Sequence, residues 1–184
     1  DACIGSMDSM TSLSLGENRI ASLPDEVCQM AHLKTLELPK NKLARLPACI
    51  GNLTAMGTLT LSENELQELP ESLCQARNLT ALRMRSNQLS TLPGCIGNLS
   101  NLGTLQVSSN KELSDLPRSV AKLAKLESLN ITDCSFEWLP QCVRGLAELR
   151  YLYLAYNKVS VLPEWVGQLR QLVLLDLDSN QLAK

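Results

Sequence analysis

The sequence predicts an α/β fold: a right-handed solenoid bent into a horseshoe, with a parallel β-sheet on the concave face and short helices or 3₁₀ turns on the convex face. Three observations lead there. The phrase L-x-x-L-x-L-x-x-N-x-L-x-x-L-P recurs with its first position at Met10, Leu33, Met56, Leu79, Leu102, Leu126, Leu149 and Leu172. Its step is 23 residues throughout, except for a single step of 24. Aromatic residues make up only 3% of the chain against 45% hydrophobic residues, so aliphatic side chains must build the core. Self-similarity at a fixed period of this length marks a stacked repeat architecture.

Each part of the repeat has a physical reason. The L-x-L stretch alternates apolar and polar residues, which gives a short strand with one buried face. Strands of successive repeats stack in parallel about 4.8 Å apart. After the strand the backbone turns inward and leaves N–H and C=O groups away from water. The in-phase asparagines Asn18, Asn41, Asn64, Asn87, Asn110, Asn157 and Asn180 carry amides that donate and accept at once. In-phase prolines, from Pro24 to Pro163, then open a P-x-x-I-x-x-L segment. Its apolar spacing of three suits a short helix or 3₁₀ turn on the opposite side. A strand is narrower than a helical segment, so the stack curves with its strands inside. One rung departs from the rule: Cys134 stands where Asn is expected, and the repeat before it holds the single insertion, around Lys111 and Glu112. The two read as one local irregularity.

This pattern resembles leucine-rich-repeat proteins over nearly the whole chain. The L-P-x-x-I-G-N-L form, at Leu46 to Leu53 and Leu92 to Leu99, is similar to intracellular repeats of plant and animal Ras-related scaffolds. It also resembles repeats of some bacterial effectors injected into host cells. Extracellular plant receptors carry a related I-G-N-L phrase, with a Gly before Ile-Pro that this chain lacks. The resemblance implies a module that presents its concave face to a partner protein.

Composition excludes other classes. Formal net charge is -2 and no long run of one sign appears, so the basic stripe of a nucleic-acid binder is missing. No apolar stretch approaches the roughly 18 residues that span a bilayer, and membrane insertion is not expected. No signal-peptide pattern opens the chain, and its first residue is Asp1 rather than Met, which reads as a processed or trimmed start. Neither G-x-x-x-x-G-K-S/T nor G-x-G-x-x-G occurs. A Ser or Cys nucleophile would need a positioned base, and the lone histidine, His32, projects from the far side of the repeat. Cys28 and His32 alone are too few for a zinc site. The expectation is no catalytic, metal or cofactor-binding residue and no cofactor.

The chain has seven cysteines. Cys3, Cys49, Cys95 and Cys142 share one phase of the repeat; Cys28 and Cys74 share another. Residues 3–48 and 49–94 also match beyond the consensus, which suggests duplication of a two-repeat unit. Same-phase cysteines two repeats apart should lie about 10 Å from each other, beyond the Cα separation of about 7 Å that a disulfide tolerates. Free, buried thiols are therefore expected, and with them a cytoplasmic location, the host cytoplasm if the chain is a secreted bacterial effector. The sequons at Asn52, Asn78, Asn98 and Asn130 then read as incidental.

The repeat phase also names the concave surface. One outward column runs Ser14, Glu37, Thr60, Arg83, Gln106, Asn130, Tyr153 and Asp176; the next runs Gly16, Pro39, Ser62, Arg85, Ser108, Thr132, Ala155 and Asp178. All three tyrosines, Tyr151, Tyr153 and Tyr156, are expected in exposed positions of one strand. Asp176 and Asp178 flank them on the next repeat, and Arg83 and Arg85 form a basic pair three repeats earlier. Tyr and Arg dominate binding hot spots, so these residues, with Glu37, are the candidate partner-binding set. Trp138 and Trp165 sit off this face, where they either cover the flanks of the core or form a lateral contact site.

The chain reads as one domain, 1–184. It comprises a partial repeat 1–9, repeats starting at 10, 33, 56, 79, 102, 126 and 149, and a partial repeat 172–184. Neither end has a polar cap, so a longer protein is expected around it, or self-association through the uncapped ends. The function expected is protein–protein interaction, as scaffold, adaptor or recognition domain. The alternatives are the substrate-targeting domain of a larger enzyme, such as a bacterial effector ubiquitin ligase, and an extracellular recognition ectodomain.

Overall fold

The structure, a computed structural model, describes residues 7–183; Cys3 and the opening of the partial repeat 1–9 lie outside them. Among the described residues, eight three-residue strands form one parallel sheet in chain order. They are β1 (Ser12–Ser14), β2 (Thr35–Glu37), β3 (Thr58–Thr60), β4 (Ala81–Arg83), β5 (Thr104–Gln106), β6 (Ser128–Asn130), β7 (Tyr151–Tyr153) and β8 (Leu174–Asp176). The register aligns Leu13, Leu36, Leu59, Leu82, Leu105, Leu129, Leu152 and Leu175 in one row. From Leu36 to Leu152 that row is fully buried, as is the second row Leu38, Leu61, Met84, Val107, Ile131 and Leu154. Among the described residues β8 has a neighbour on one side only, and Val173 and Leu174 are exposed.

The chain leaves each strand through a left-handed corner. Glu17, Lys40, Glu63, Ser86, Ser109, Asp133, Tyr156 and Ser179 all have φ between 53° and 58°. None is glycine, so each carries a steric cost. The corner turns its amide toward the next repeat: Lys40 N–H donates to Ser62 C=O at 2.9 Å, Glu63 to Arg85 at 2.7 Å and Tyr156 to Asp178 at 2.8 Å. This second backbone ladder offsets the strain and extends inter-repeat pairing beyond the three-residue strand.

The asparagine ladder follows. Asn64 Oδ1 accepts Leu43 N–H at 2.9 Å, while its Nδ2 donates to Leu38 C=O at 2.9 Å and Leu61 C=O at 3.0 Å. Asn41, Asn87, Asn110, Asn157 and Asn180 repeat this geometry. The irregular rung explains itself. Cys134 Sγ donates to Val107 C=O and Thr132 C=O at 3.6 and 3.5 Å, but no amide oxygen is there to accept Leu113 N–H. The inserted residue lets Leu113 N–H bond Asn110 C=O instead, at 3.1 Å. Insertion and missing asparagine compensate each other, as the single irregularity read from the sequence implies. Asn64→Ala should cost about 3 kcal/mol in urea denaturation, since it strands buried groups on two repeats. Asn18, exposed and bonded among the described residues only within its own turn, should cost less than about 1 kcal/mol when changed to Ala. Equal losses would remove the ladder argument.

On the convex side every segment among the described residues is a 3₁₀ turn. In the first four repeats long and short turns alternate: Asp25–Gln29, Ile50–Asn52, Glu71–Gln75 and Ile96–Asn98. The two-repeat period seen in the sequence is thus also a structural period. It carries a correction. Cys28 is bonded to Cys49 and Cys74 to Cys95, with Cα–Cα distances of 5.8 and 5.9 Å. Same-phase cysteines do not pair, as expected, but opposite-phase cysteines in adjacent repeats do. The long turn of one repeat brings its fourth residue after Pro beside the second residue after Pro in the next. The expectation of free thiols therefore fails for these four. It holds for Cys134 and Cys142, which are free and buried, and whose thiols burial pushes up to about 11. Cys142 has the phase of Cys49 and Cys95, but its partner position holds Ala121.

Candidate functional site on the concave face

Between Arg85 and Tyr156 the concave face sinks into a hollow of about 450 Å³. Large side chains stand at its two ends and small polar ones lie between: Ser108, Ser109, Asn130 and Thr132. Three repeats separate the ends, about 14 Å at the strand spacing. Arg85 and Tyr156 are exposed, whereas Ser108 is buried at 4% exposure, which makes it floor rather than rim.

The irregular repeat sets the electrostatics. The inserted Lys111 pairs with Asp133, a left-handed corner residue on the wall of the hollow. That hydrogen bond holds the Asp133 carboxyl below its usual value, with help from Ser109 and the Arg85 charge and against the effect of burial. Asp133 is thus an anion already partnered by Lys111, and Arg85 remains as the cation available to an incoming group. The other rim ion pair, Lys40 with Glu17 at 2.7 Å, lies at the far end on exposed side chains, where such pairs contribute little.

The eight candidate residues separate. Arg85 and Tyr156 meet at the hollow, although neither lies within a strand: both follow one, and Tyr156 occupies a left-handed corner. The expectation that all three tyrosines share a strand is corrected accordingly, and Asp178 likewise lies beyond β8. Tyr151 is exposed and Tyr153 half-buried on β7, and Tyr153 is in register with Asp176. Asp176 Oδ1 accepts the Asp178 N–H at 3.1 Å. These four extend the surface past Tyr156. Arg83 is half-buried on β4, in register with Gln106. Glu37, on β2, is five strands from Tyr153 and not brought to the others.

Gln106 and Asn130, which the repeat phase places in an outward column, and Asp133 also line the hollow, although none is in the candidate set. The signal available was the insertion, which aims Lys111 at Asp133. Asn130, one of the four sequons, is half-buried there, while Asn52, Asn78 and Asn98 are exposed. On the far side, the ligand-type atoms of Glu71, Cys74 and Cys95 lie within 4.8 Å of one another, but both sulfurs are committed to a disulfide. Cys28 is committed in the same way, and His32 is exposed.

Comparison with known proteins agrees with this architecture. Residues 21–136 match the leucine-rich repeat region family and residues 140–182 match the leucine rich repeat family. A leucine-rich-repeat protein of Leptospira interrogans superposes with a TM-score of 0.97 at 33% identity, covering 100% of this chain and 47% of that one. The functional domain of InlJ from Listeria monocytogenes, which includes a cysteine ladder, has a TM-score of 0.85 at 26% identity, over 98% of this chain and 37% of its own. The leucine-rich repeats of FLRT2, solved in an octameric complex with Latrophilin 3 and Unc5D, have a TM-score of 0.85 at 25% identity, over 95% of this chain and 55% of that one. This chain thus spans about half or less of each of these three solved chains. No curated protein matches it in sequence. No helix among the described residues is long and apolar enough to cross a membrane.

Proposed function

The chain belongs to the leucine-rich-repeat family, whose fold commonly mediates protein–protein interaction, and from that premise we propose that its concave face binds a partner protein through the hollow between Arg85 and Tyr156. The observation that carries the reading is the hollow itself. It is the one place on the described sheet where an arginine and a tyrosine face each other across a floor of small polar residues. An acidic side chain of the partner would meet the Arg85 guanidinium, while the apolar body of that segment packs on the Tyr156 ring. Tyr151, Tyr153, Asp176 and Asp178 extend the contact toward β8. Recognition rather than catalysis is the role, in keeping with a family of typically non-enzymatic modules.

Two disulfides support work in an oxidising compartment, because such bridges persist outside the reducing cytoplasm. The cytoplasmic location expected from the sequence rested on free thiols, and four of those cysteines are paired. The extracellular recognition reading therefore gains over the scaffold and effector readings. The leucine-rich repeats of FLRT2, solved in a complex with Latrophilin 3 and Unc5D, support partner binding by this fold.

The test compares wild type with an Arg85→Ala/Tyr156→Ala double variant in affinity capture followed by quantitative mass spectrometry. A partner recovered by wild type should bind the double variant at least about tenfold more weakly, because hot-spot side chains are each worth more than about 1 kcal/mol. Equal affinity for every recovered protein sinks the proposal.

A further inference from the structure

Both tryptophans of the chain line one groove on the flank of the solenoid, away from the concave sheet. Trp138 occupies the position before Leu-Pro and is 54% exposed. Trp165 lies in the next convex turn, Glu164–Gln168, and packs against the core while still lining the groove. Asp115, Arg118 and Gln141 supply its charged and amide side chains, and Leu116, Leu139, Cys142 and Pro163 complete the lining. The volume, about 420 Å³, falls within the range of about 300–1,000 Å³ typical of small-ligand sites.

The polar side chains are held ready and unspent. Asp115 Oδ1 accepts its neighbour's Leu116 N–H at 2.8 Å, which fixes the carboxylate and leaves its second oxygen open. Among the described residues, Arg118 and Gln141 make no side-chain hydrogen bond, and the ion pairs are Lys40–Glu17 and Lys111–Asp133, so Arg118 and Asp115 do not neutralise each other by contact. An indole face left in water beside such groups calls for a ligand with one apolar face and an edge of groups that both donate and accept.

We propose that this groove binds a neutral oligosaccharide. The C–H face of a pyranose ring stacks on Trp138 and buries its apolar surface. Ring hydroxyls donate to Asp115 and accept from Arg118, and Gln141 does both. The one guanidinium and the one carboxylate cancel, so the groove favours neither sulfated nor uronic sugars. A proline-rich peptide also docks on aromatic grooves, but it offers carbonyl acceptors alone and would set them against Asp115. The proposal is independent of the concave site.

Both tryptophans of the chain line this groove, so fluorescence excited at the red edge, where the three tyrosines scarcely absorb, reads the groove and not the concave face. The full chain is titrated with cellohexaose, maltohexaose and N-acetylchitohexaose, with decaproline and a heparin hexasaccharide as controls. A saturable emission change at millimolar or lower concentration with at least one neutral sugar is expected. Trp138→Ala, an exposed position read out through Trp165, should weaken it about tenfold or more. Trp138→Phe should keep part of the binding, and Arg85→Ala should leave it unchanged. No change with any neutral sugar, a response to decaproline instead, or wild-type affinity in Trp138→Ala overturns the proposal.

Discussion

Reduction of the Cys28–Cys49 and Cys74–Cys95 bridges is expected to destabilise the N-terminal half of the solenoid by about 3 kcal/mol per bridge. Each bridge joins residues 21 apart in sequence, and opening it restores the loop entropy that the cross-link removes from the unfolded chain. In a solenoid, stability is a sum over repeats and their interfaces. The loss should therefore concentrate in the stitched repeats and leave the unbridged C-terminal repeats nearly as stable as before. Urea denaturation with and without reductant, followed by hydrogen exchange, measures both the size and the place of the loss. Peptide mapping supplies an independent readout. Denatured without reductant, the chain should take up alkylating label at Cys134 and Cys142 and not at the four bridged cysteines. Thiols pushed up to about 11 stay protonated near neutral pH, so Cys134 and Cys142 do not reshuffle the bridges in the folded chain. Label on all four bridged positions, with no effect of reductant on the midpoint, would refute the pairing.

Gly51→Ala is expected to cost about 3 kcal/mol or more, and Gly97→Ala about as much, because each forces a backbone to move. A Cβ at Gly51 would sit 1.9 Å from the carbonyl oxygen of Ser72; at Gly97 it would sit 2.0 Å from that of Ser119. Both glycines lie in the short turns, where the next repeat's long turn packs directly over them. Gly94 provides the contrast: a Cβ there meets nothing within 4 Å, so Gly94→Ala should be neutral within about 0.5 kcal/mol. Thermal denaturation of the three variants separates these outcomes. A drop in Tm of about 10 °C is expected for Gly51→Ala. A Gly51→Ala protein as stable as Gly94→Ala would mean that the turns do not pack this closely.

What repeats along the chain is legible in its sequence. The leucine rows, the asparagine rungs, the strand order and the coupling of Cys134 to the insertion all follow from phase, because each depends on the same position in neighbouring repeats. The candidate site was legible in part. Arg85 and Tyr156 stand out by residue type, yet their meeting across a hollow depends on Ser108, Ser109, Asn130 and Thr132 being small and low, and nothing in their types announces a floor. Left-handed corners at non-glycine residues gave no signal either, since Glu, Lys, Ser, Asp and Tyr all occupy them.

The repeat phase alone is enough to read this chain as a leucine-rich-repeat solenoid and to assign the face its polar columns occupy. Period fixes what lies above and below each residue, because stacking maps equal phases onto one another. Which cysteines pair, why Gly51 and Gly97 must be glycine, and which exposed residues share a hollow or a groove emerge from the packed fold. Those depend on the distance between different phases, and that distance is set by how long each convex turn runs and how the neighbouring turn packs against it.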